Sequence, residues 1–462
     1  MPVTLTPQLA ASVSRCVEAQ FGLHFPPERR ADLEKGLCAA AQELEFQSVN
    51  EFAEMLVRSQ LSKAQIDLLG AHLTIGETYF FRDEKAFAAL EGHVLPALGQ
   101  QEHSRGPRLR IWSAGCCTGE EPYSIAIALR RALPRLADSQ VTILATDLNA
   151  RFLHKAAHGV YGKWSFRGVP PEIVSAYFRL AAEGRWEVIP EVKKLVTFAS
   201  LNLVEDAYPS LTNNTNAMDV IFCRNVLMYL SRDQAHKVIA KLHRSLVDGG
   251  WLFATAAEAS PDLFAPFTPA GLRGTAIYRK QAAGSGPSAR RRETPEVAKA
   301  RALPSPPGGS ETATPAPRTS PARARAKRGA PQPEIAVTAR QLANEGRLDE
   351  ALRVCEQASA ANKLVPAHHY LQGVILQEQG AFTEAAAALR RALYLDPDFV
   401  IALFALGHVM LRQGRKEGAE RYFENARALL KTSDPERVLP ESDGLTAGRL
   451  LAMLSSAREV LT

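Results

Sequence analysis

The chain has 462 residues, too many for one ordinary domain, and its 46% hydrophobic and 23% charged residues are the balance of a folded, water-soluble protein. No run approaches the roughly 20 apolar residues of a membrane span, and the start has no cationic and apolar leader. Six scattered cysteines make no disulfide framework, so a cytoplasmic protein with reduced thiols and no membrane insertion is expected. The formal charge of +6 sits in one segment: residues 281–332 hold ten Lys/Arg and three acids, a net of +7, which leaves the rest near −1. That distribution removes the case for a nucleic-acid partner.

Residues 1–72 read as a helical N-terminal domain, opened by Thr6 and Pro7, with Leu9, Val13 and Val17 at helical spacing. From about Arg108 strands and helices alternate: "LRIWSA", a helix from Pro122, "VTILATD", "KLVTFASLNL", "MDVIFCRNVL", a helix through "QAHKVIAKLHRSL", then "GGWLFATA". This pattern predicts an α/β domain over residues 73–280, a mostly parallel sheet with helices on both faces. Residues 281–332 carry nine prolines and few large apolar side chains, the composition of a disordered tether. Beyond them Gly346, Gly380 and Gly414 recur every 34 residues, as do Ala351, Ala385 and Ala419. That period, with paired helices, resembles the tetratricopeptide repeat and predicts an all-α solenoid over residues 333–432. A tail helix is expected in 433–462, with Leu450, Leu454 and Leu461 on one face.

In an open α/β sheet ligands bind beyond the carboxyl ends of the strands. The first strand exits there into "AGCCTGEEP", where Gly115 and Gly119 bracket a turn of small residues and Pro122 opens a helix. The G-x-G-x-x-G spacing of dinucleotide sites is absent. Asp147 ends the second strand, where a carboxylate can hold the two hydroxyls of a ribose; it can equally cap the following helix, with Asn149 as competitor. Cys116 and Cys117 lack the arginine a phosphatase loop needs and the C-x-x-C partner a metal needs, so they read as small loop residues. His154 and His158 stand four apart, but Lys155 occupies the place of a zinc protease's glutamate, and no metal site is expected.

Five ordered stretches, "TIGETYFFR", "WSAGCCTGEEPYSIA", "ATDLN", "LNL" and "FCRNVLMYL", together resemble the chemotaxis-receptor glutamate methyltransferases, the CheR family. The resemblance covers residues 1 to about 280. It implies a class I, Rossmann-like methyltransferase domain with a helical N-terminal domain and a small β-subdomain insert, expected at about 183–200. It also implies S-adenosyl-L-methionine as cofactor, S-adenosyl-L-homocysteine as product, and the cytoplasmic helices of methyl-accepting chemoreceptors as protein partners.

Carried over by position, Arg82 and Thr78 meet the methionine end of the cofactor, Glu121 accepts from its amino group and Asp147 holds the ribose. Asn202 and Leu203 frame the adenine, Arg224 and Asn225 line the site, and Tyr229 faces the transferred methyl. Gly76 falls in the first motif where the family often has asparagine, which removes a side-chain contact. Glu120 and Glu121 have a plainer reading as first-turn acids favoured by the helix dipole. The resemblance thus implies an enzyme with Arg82 and Tyr229 at the reacting groups, acting as a monomer, with repeats for an unknown protein partner. The rival reading is a scaffold that holds cofactor without turnover.

Overall fold

The structure, a computed structural model, describes residues 5–59, 61–100, 108–281, 332–442, 444–451 and 453–454. The expected linker, apart from its end residues, and Leu461 lie outside these. Four helices open the chain, Pro7–Phe21, Arg30–Glu43, Val49–Arg58 and Lys63–Leu73. The first starts where its signal stands: the Thr6 hydroxyl accepts from the Leu9 amide (3.3 Å) and Pro7 takes the first helical position. Leu33, Leu37, Phe52 and Leu69, all buried, join these helices around Val13 and Val17.

The middle of the chain forms a seven-stranded sheet: β1 (Leu109–Ala114), β2 (Val141–Asp147), β6 (Val196–Ser200), β7 (Met218–Phe222), β8 (Leu246–Ala254), β9 (Thr268–Pro269) and β10 (Ala276–Arg279). The order is β6-β2-β1-β7-β8-β10-β9. The first five strands in that order run parallel, and β10 and β9 close the edge antiparallel. Parallel strands are covered on both faces, which is why β1 and β2 read as near-continuous apolar runs. Helices Glu120–Ala132 and Arg232–Ser245 contribute their buried faces to two separate cores, around Ile125 and Ile127 and around Val238 and Leu242. β1 lies between β2 and β7, so successive crossovers leave it in opposite directions and open a crevice at its carboxyl end.

A second, antiparallel sheet joins β3 (Val160–Tyr161), β5 (Trp186–Val188) and β4 (Phe178–Leu180). The insert therefore spans 160–188 and departs from the expected 183–200. The stretch "KLVTF" supplies β6, which pairs with β2 from Ile143↔Val196 to Asp147↔Ser200.

Three helix pairs follow: Gln332–Asn344 with Leu348–Ala361, Pro366–Glu378 with Phe382–Leu395, and Val400–Arg412 with Lys416–Lys431. Residues 447–451 are helical, and Leu450 and Leu454 are buried in the core of the repeats. The pairs rest directly against the sheet domain. Arg108 donates to the carbonyls of Gln377 (2.9 Å) and Glu378 (3.3 Å), and Leu211 is buried among residues of the repeats. A tether alone does not describe this arrangement. No described helix is long and apolar enough to cross a membrane.

Candidate functional site

The crevice at the carboxyl ends of β1, β2, β6 and β7 is an open cavity of ≈ 1080 Å³, walled on one side by Phe21, Leu23, Phe25 and Arg29 of the helical domain. Nine of the residues singled out from the sequence line it: Thr78, Arg82, Glu121, Asp147, Asn202, Leu203, Arg224, Asn225 and Tyr229. Gly76 does not. A Cβ there would lie 2.7 Å from Phe152 Cζ, so the ring of Phe152 occupies the room an asparagine would need.

The loop after β1 is built for close approach. The amides of Gly115 and Cys116 both donate to the Thr146 carbonyl (2.8 and 2.9 Å), folding the loop back over β2. Gly119 has φ +95°, and a Cβ on it would meet Ala156 Cβ and Tyr161 Oη at 2.8 Å. The Cys117 amide points at Asp147, donating to Oδ2 (2.9 Å), while the Asn149 amide donates to Oδ1 (2.9 Å). Asn149 is the helix cap, its side chain accepting from the amides of Arg151 and Phe152 (2.9 and 3.3 Å). The two readings of Asp147 separate here: the cap is Asn149, and Asp147 keeps a carboxylate edge in the cavity. Burial raises the Asp147 pKa, and the amides of Asn149 and Cys117 oppose that rise.

Glu121 and Arg224 meet across the cavity floor. Arg224, with 2% of its side chain exposed, donates through Nη1 to Glu121 Oε2 and through Nη2 to Asp83 Oδ2, both at 3.2 Å. The Ser113 hydroxyl donates to Glu121 Oε1 (2.7 Å). Burial pushes the Glu121 pKa up; the Arg224 guanidinium, the Ser113 hydroxyl and Arg82 pull it back. Glu120 faces away, accepting from Thr118 (2.6 Å) and Ser165 (2.9 Å), and is structural. Asn202 commits its amide nitrogen to the Gln20 carbonyl (3.1 Å), tying the loop after β6 to the first helix.

Tyr229 is held by the helical domain. Its carbonyl accepts from the His24 amide (2.7 Å), Leu23 and Leu230 form an antiparallel bridge, and the Arg29 guanidinium lies 5.2 Å from its ring centre. Burial raises its pKa, so the phenol stays protonated at neutral pH. Arg82 donates to the Glu77 carbonyl (2.6 Å).

Sequence reasoning missed Asp83, Ser113 and Glu258. Glu258 accepts from the amides of Asn225 (2.9 Å) and Val226 (2.7 Å) and from the Thr255 hydroxyl (2.6 Å), which fixes the loop carrying Asn225 and Tyr229. Its one sequence signal is a lone acid shortly after the apolar strand "WLFATA". Phe81 (φ 56°), Asp83 (72°), Cys117 (50°) and Asn225 (57°) all have left-handed backbone in the segments that frame the cavity. Burial pushes the Cys117 thiol up to about 12 and Cys116 well above its ordinary value, which disfavours the thiolate a nucleophile needs.

Comparison with known proteins shows the family of the chain. The family described as CheR methyltransferase, SAM binding domain, matches residues 76–272, and a TPR repeat matches residues 373–414. "Chemotaxis protein methyltransferase 1" of Pseudomonas aeruginosa is 37% identical over 48% of this chain and 80% of its own length. "Chemotaxis protein methyltransferase 2" of Vibrio cholerae is 32% identical over 56% of this chain and 88% of its own. "Probable biofilm formation methyltransferase WspC" of Pseudomonas aeruginosa is 30% identical over 89% of this chain and 97% of its own, so it aligns along both modules.

Proposed function

The chain belongs to the CheR methyltransferase family and binds S-adenosylmethionine, and from that premise we propose that it methylates glutamate side chains of a chemoreceptor's cytoplasmic helices. The observation that carries this reading is the meeting of Glu121, Arg224 and Asp83 at one end of a cavity that Asp147 also lines. That donor set suits the cofactor: acids for an ammonium and a ribose, a guanidinium for a carboxylate, gathered in one concave site with apolar walls. When bound, S-adenosylmethionine supplies an electrophilic methyl on a cationic sulfur.

The residues of this chain then have distinct tasks. Glu121 accepts from the ammonium, Arg82 and Thr78 meet the methionine end with Arg224 and Asn225 lining the site beside them, and Asp147 accepts from the ribose hydroxyls. Asn202 and Leu203 border the adenine, with Asn202 acting through its hold on the loop. Arg82 orients the incoming glutamate and Tyr229 lines the path of the methyl, its neutral hydroxyl a donor. A glutamate carboxylate is ionised at neutral pH, so no general base is required. Acceleration comes from alignment and from excluding water as opposite charges meet.

We assign the helical domain to residues 1–72, the methyltransferase domain to 73–280 and the repeats to 333–432, and place the protein in the cytoplasm as a monomer. The relative that aligns along both modules is named for biofilm formation, which favours a receptor of such a pathway over one for swimming. The test is transfer of labelled methyl to receptor cytoplasmic fragments, followed by mild alkali. Label released by base supports the ester. Cofactor binding without transfer would support the scaffold reading instead.

A further inference from the structure

The repeats bring equivalent residues into rows. Asn344, Glu378 and Arg412 stand 34 apart, each the last residue of the first helix in its pair. Two members of this row bind the sheet domain. The Glu378 carboxylate pairs with Arg110, their side chains 3% and 8% exposed. Arg412 Nη2 lies 3.4 Å from Thr142 Oγ1. Arg110 and Thr142 are register partners in β1 and β2, so the row reads two adjacent strands.

The surroundings complete the fit. Arg108 binds the end of the same helix through the Gln377 and Glu378 carbonyls, with its guanidinium 5.2 Å from the Phe382 ring centre. Tyr370 Oη is 3.5 Å from Thr212 Oγ1, Leu211 enters the apolar core of the repeats, and the turn at Gly346 sits against Val247. One helical turn before the first row, Arg340 pairs with Glu441 of the C-terminal segment, and Arg449 of that segment pairs with Glu205 of the sheet domain. The first-helix face is thus covered by this chain's own residues from two sides.

We propose that the ligand of the repeat stack's first-helix face is the amino-terminal pole of the chain's own catalytic sheet, so that repeats and catalytic domain form one rigid body. The chemistry of the face fits this occupant: the Glu378 carboxylate in the middle repeat takes the Arg110 guanidinium, while the helix-end carbonyls and the Phe382 ring take that of Arg108. The contact lies at the end of β1 and β2 opposite Ser113 and Asp147, and leaves the cavity open. An outside protein reaches this face only by displacing Arg110 from Glu378, and it must bring a cation to do so. The inference is independent of which substrate is methylated.

Solution X-ray scattering on the full-length protein tests it. The wild type should scatter as one compact body. Glu378→Arg should undock the repeats and raise the radius of gyration by on the order of 5 Å, the change from one compact body to two joined by a linker of ~50 residues. Arg110→Glu combined with Glu378→Arg should restore the compact value. Glu378→Gln, a milder change read alongside helicity by circular dichroism, decides the matter if the charge reversal unfolds the repeats. Wild-type scattering that fits separated modules would overturn the proposal, as would an unchanged profile in folded Glu378→Arg or, where that variant unfolds, in Glu378→Gln.

Discussion

The two poles of the seven-stranded sheet each hold a buried arginine, in opposite settings. At the carboxyl pole Arg224 bridges Asp83 and Glu121, whose side chains are 34% and 14% exposed. At the amino pole Arg110 meets Glu378, which is 3% exposed, and also donates to the Asn214 carbonyl at 3.0 Å. The first arrangement leaves carboxylate edges facing a cavity; the second is sealed. Both bear the desolvation cost of a buried charge, which its partner offsets. What separates a ligand site from an adhesive contact is whether the partners keep unused lone pairs where a molecule can enter.

Removing the cation from the open pole should have the largest effect. Arg224→Met takes from Glu121 and Asp83 the guanidinium that bridges them, a loss of about 3–5 kcal/mol in stability on the scale of broken buried pairs. Urea denaturation measures that loss, and calorimetry should find no S-adenosylmethionine binding. Wild-type affinity in this variant would erase the distinction between the poles.

Asp147→Ala comes next. It removes an acceptor and orphans the Cys117 amide, so cofactor affinity should fall by roughly 1–3 kcal/mol. An unchanged dissociation constant in a folded variant would take Asp147 out of the ribose site.

Acidity offers a third, smaller lever. Burial raises the Glu121 pKa above its ordinary value, so the folded protein holds that proton more tightly than the unfolded chain does. This carboxyl therefore contributes stability below the ordinary carboxylate range and loses it as pH rises through the raised value. Cofactor affinity should move the other way, falling as pH drops through that value, because accepting from an ammonium needs the ionised form. Glu121→Gln should flatten the affinity-versus-pH curve; an identical slope in the variant would assign the titration elsewhere.

Two changes should leave cofactor affinity almost unmoved. Glu378→Gln, at the sealed pole, should shift the dissociation constant by less than about twofold, since contacts there share no partner with Glu121 or Asp147. Cys116→Ser with Cys117→Ser should keep methyl transfer within about twofold, because neither thiol ionises at neutral pH. Lost turnover with retained binding would return sulfur to the chemistry.

The carboxyl pole was legible in the sequence because strand ends carry local grammar. "WSAGCCTGEEP" shows a strand running into a small-residue turn, and the acid closing "VTILATD" follows from strand length alone. The competition between Asp147 and Asn149 was not legible, since either acceptor satisfies the spacing; the backbone path after β2 decides it. "KLVTF" alternates as any strand does, and its true partner, β2, lies about 50 residues upstream, so the small sheet was misplaced. Gly76 was read as a missing contact, whereas Phe152, far along the chain, occupies the room. The amino pole left no trace: Arg110 and Glu378 are 268 residues apart, and nothing local to either points to the other. Long-range pairing of single charges has no sequence period to announce it.

The left-handed residues Phe81, Asp83, Cys117 and Asn225 bear on how this protein would respond to selection. Such backbone costs a side-chain-bearing residue on the order of 1 kcal/mol or more, and glycine escapes the cost. Replacing Cys117 by glycine should therefore relieve that cost while loosening the frame around the cofactor, whereas at Phe81 the ring packed 5.2 Å from Phe87 is worth more than the torsion costs. Laboratory evolution for thermal tolerance alone would drift toward glycine, among these places, at Cys117 first, because Asp83 holds Arg224 and Phe81 is packed against Phe87. Evolution that also demands turnover would leave them as they stand, and comparing the two lineages would read out which torsions the chemistry needs.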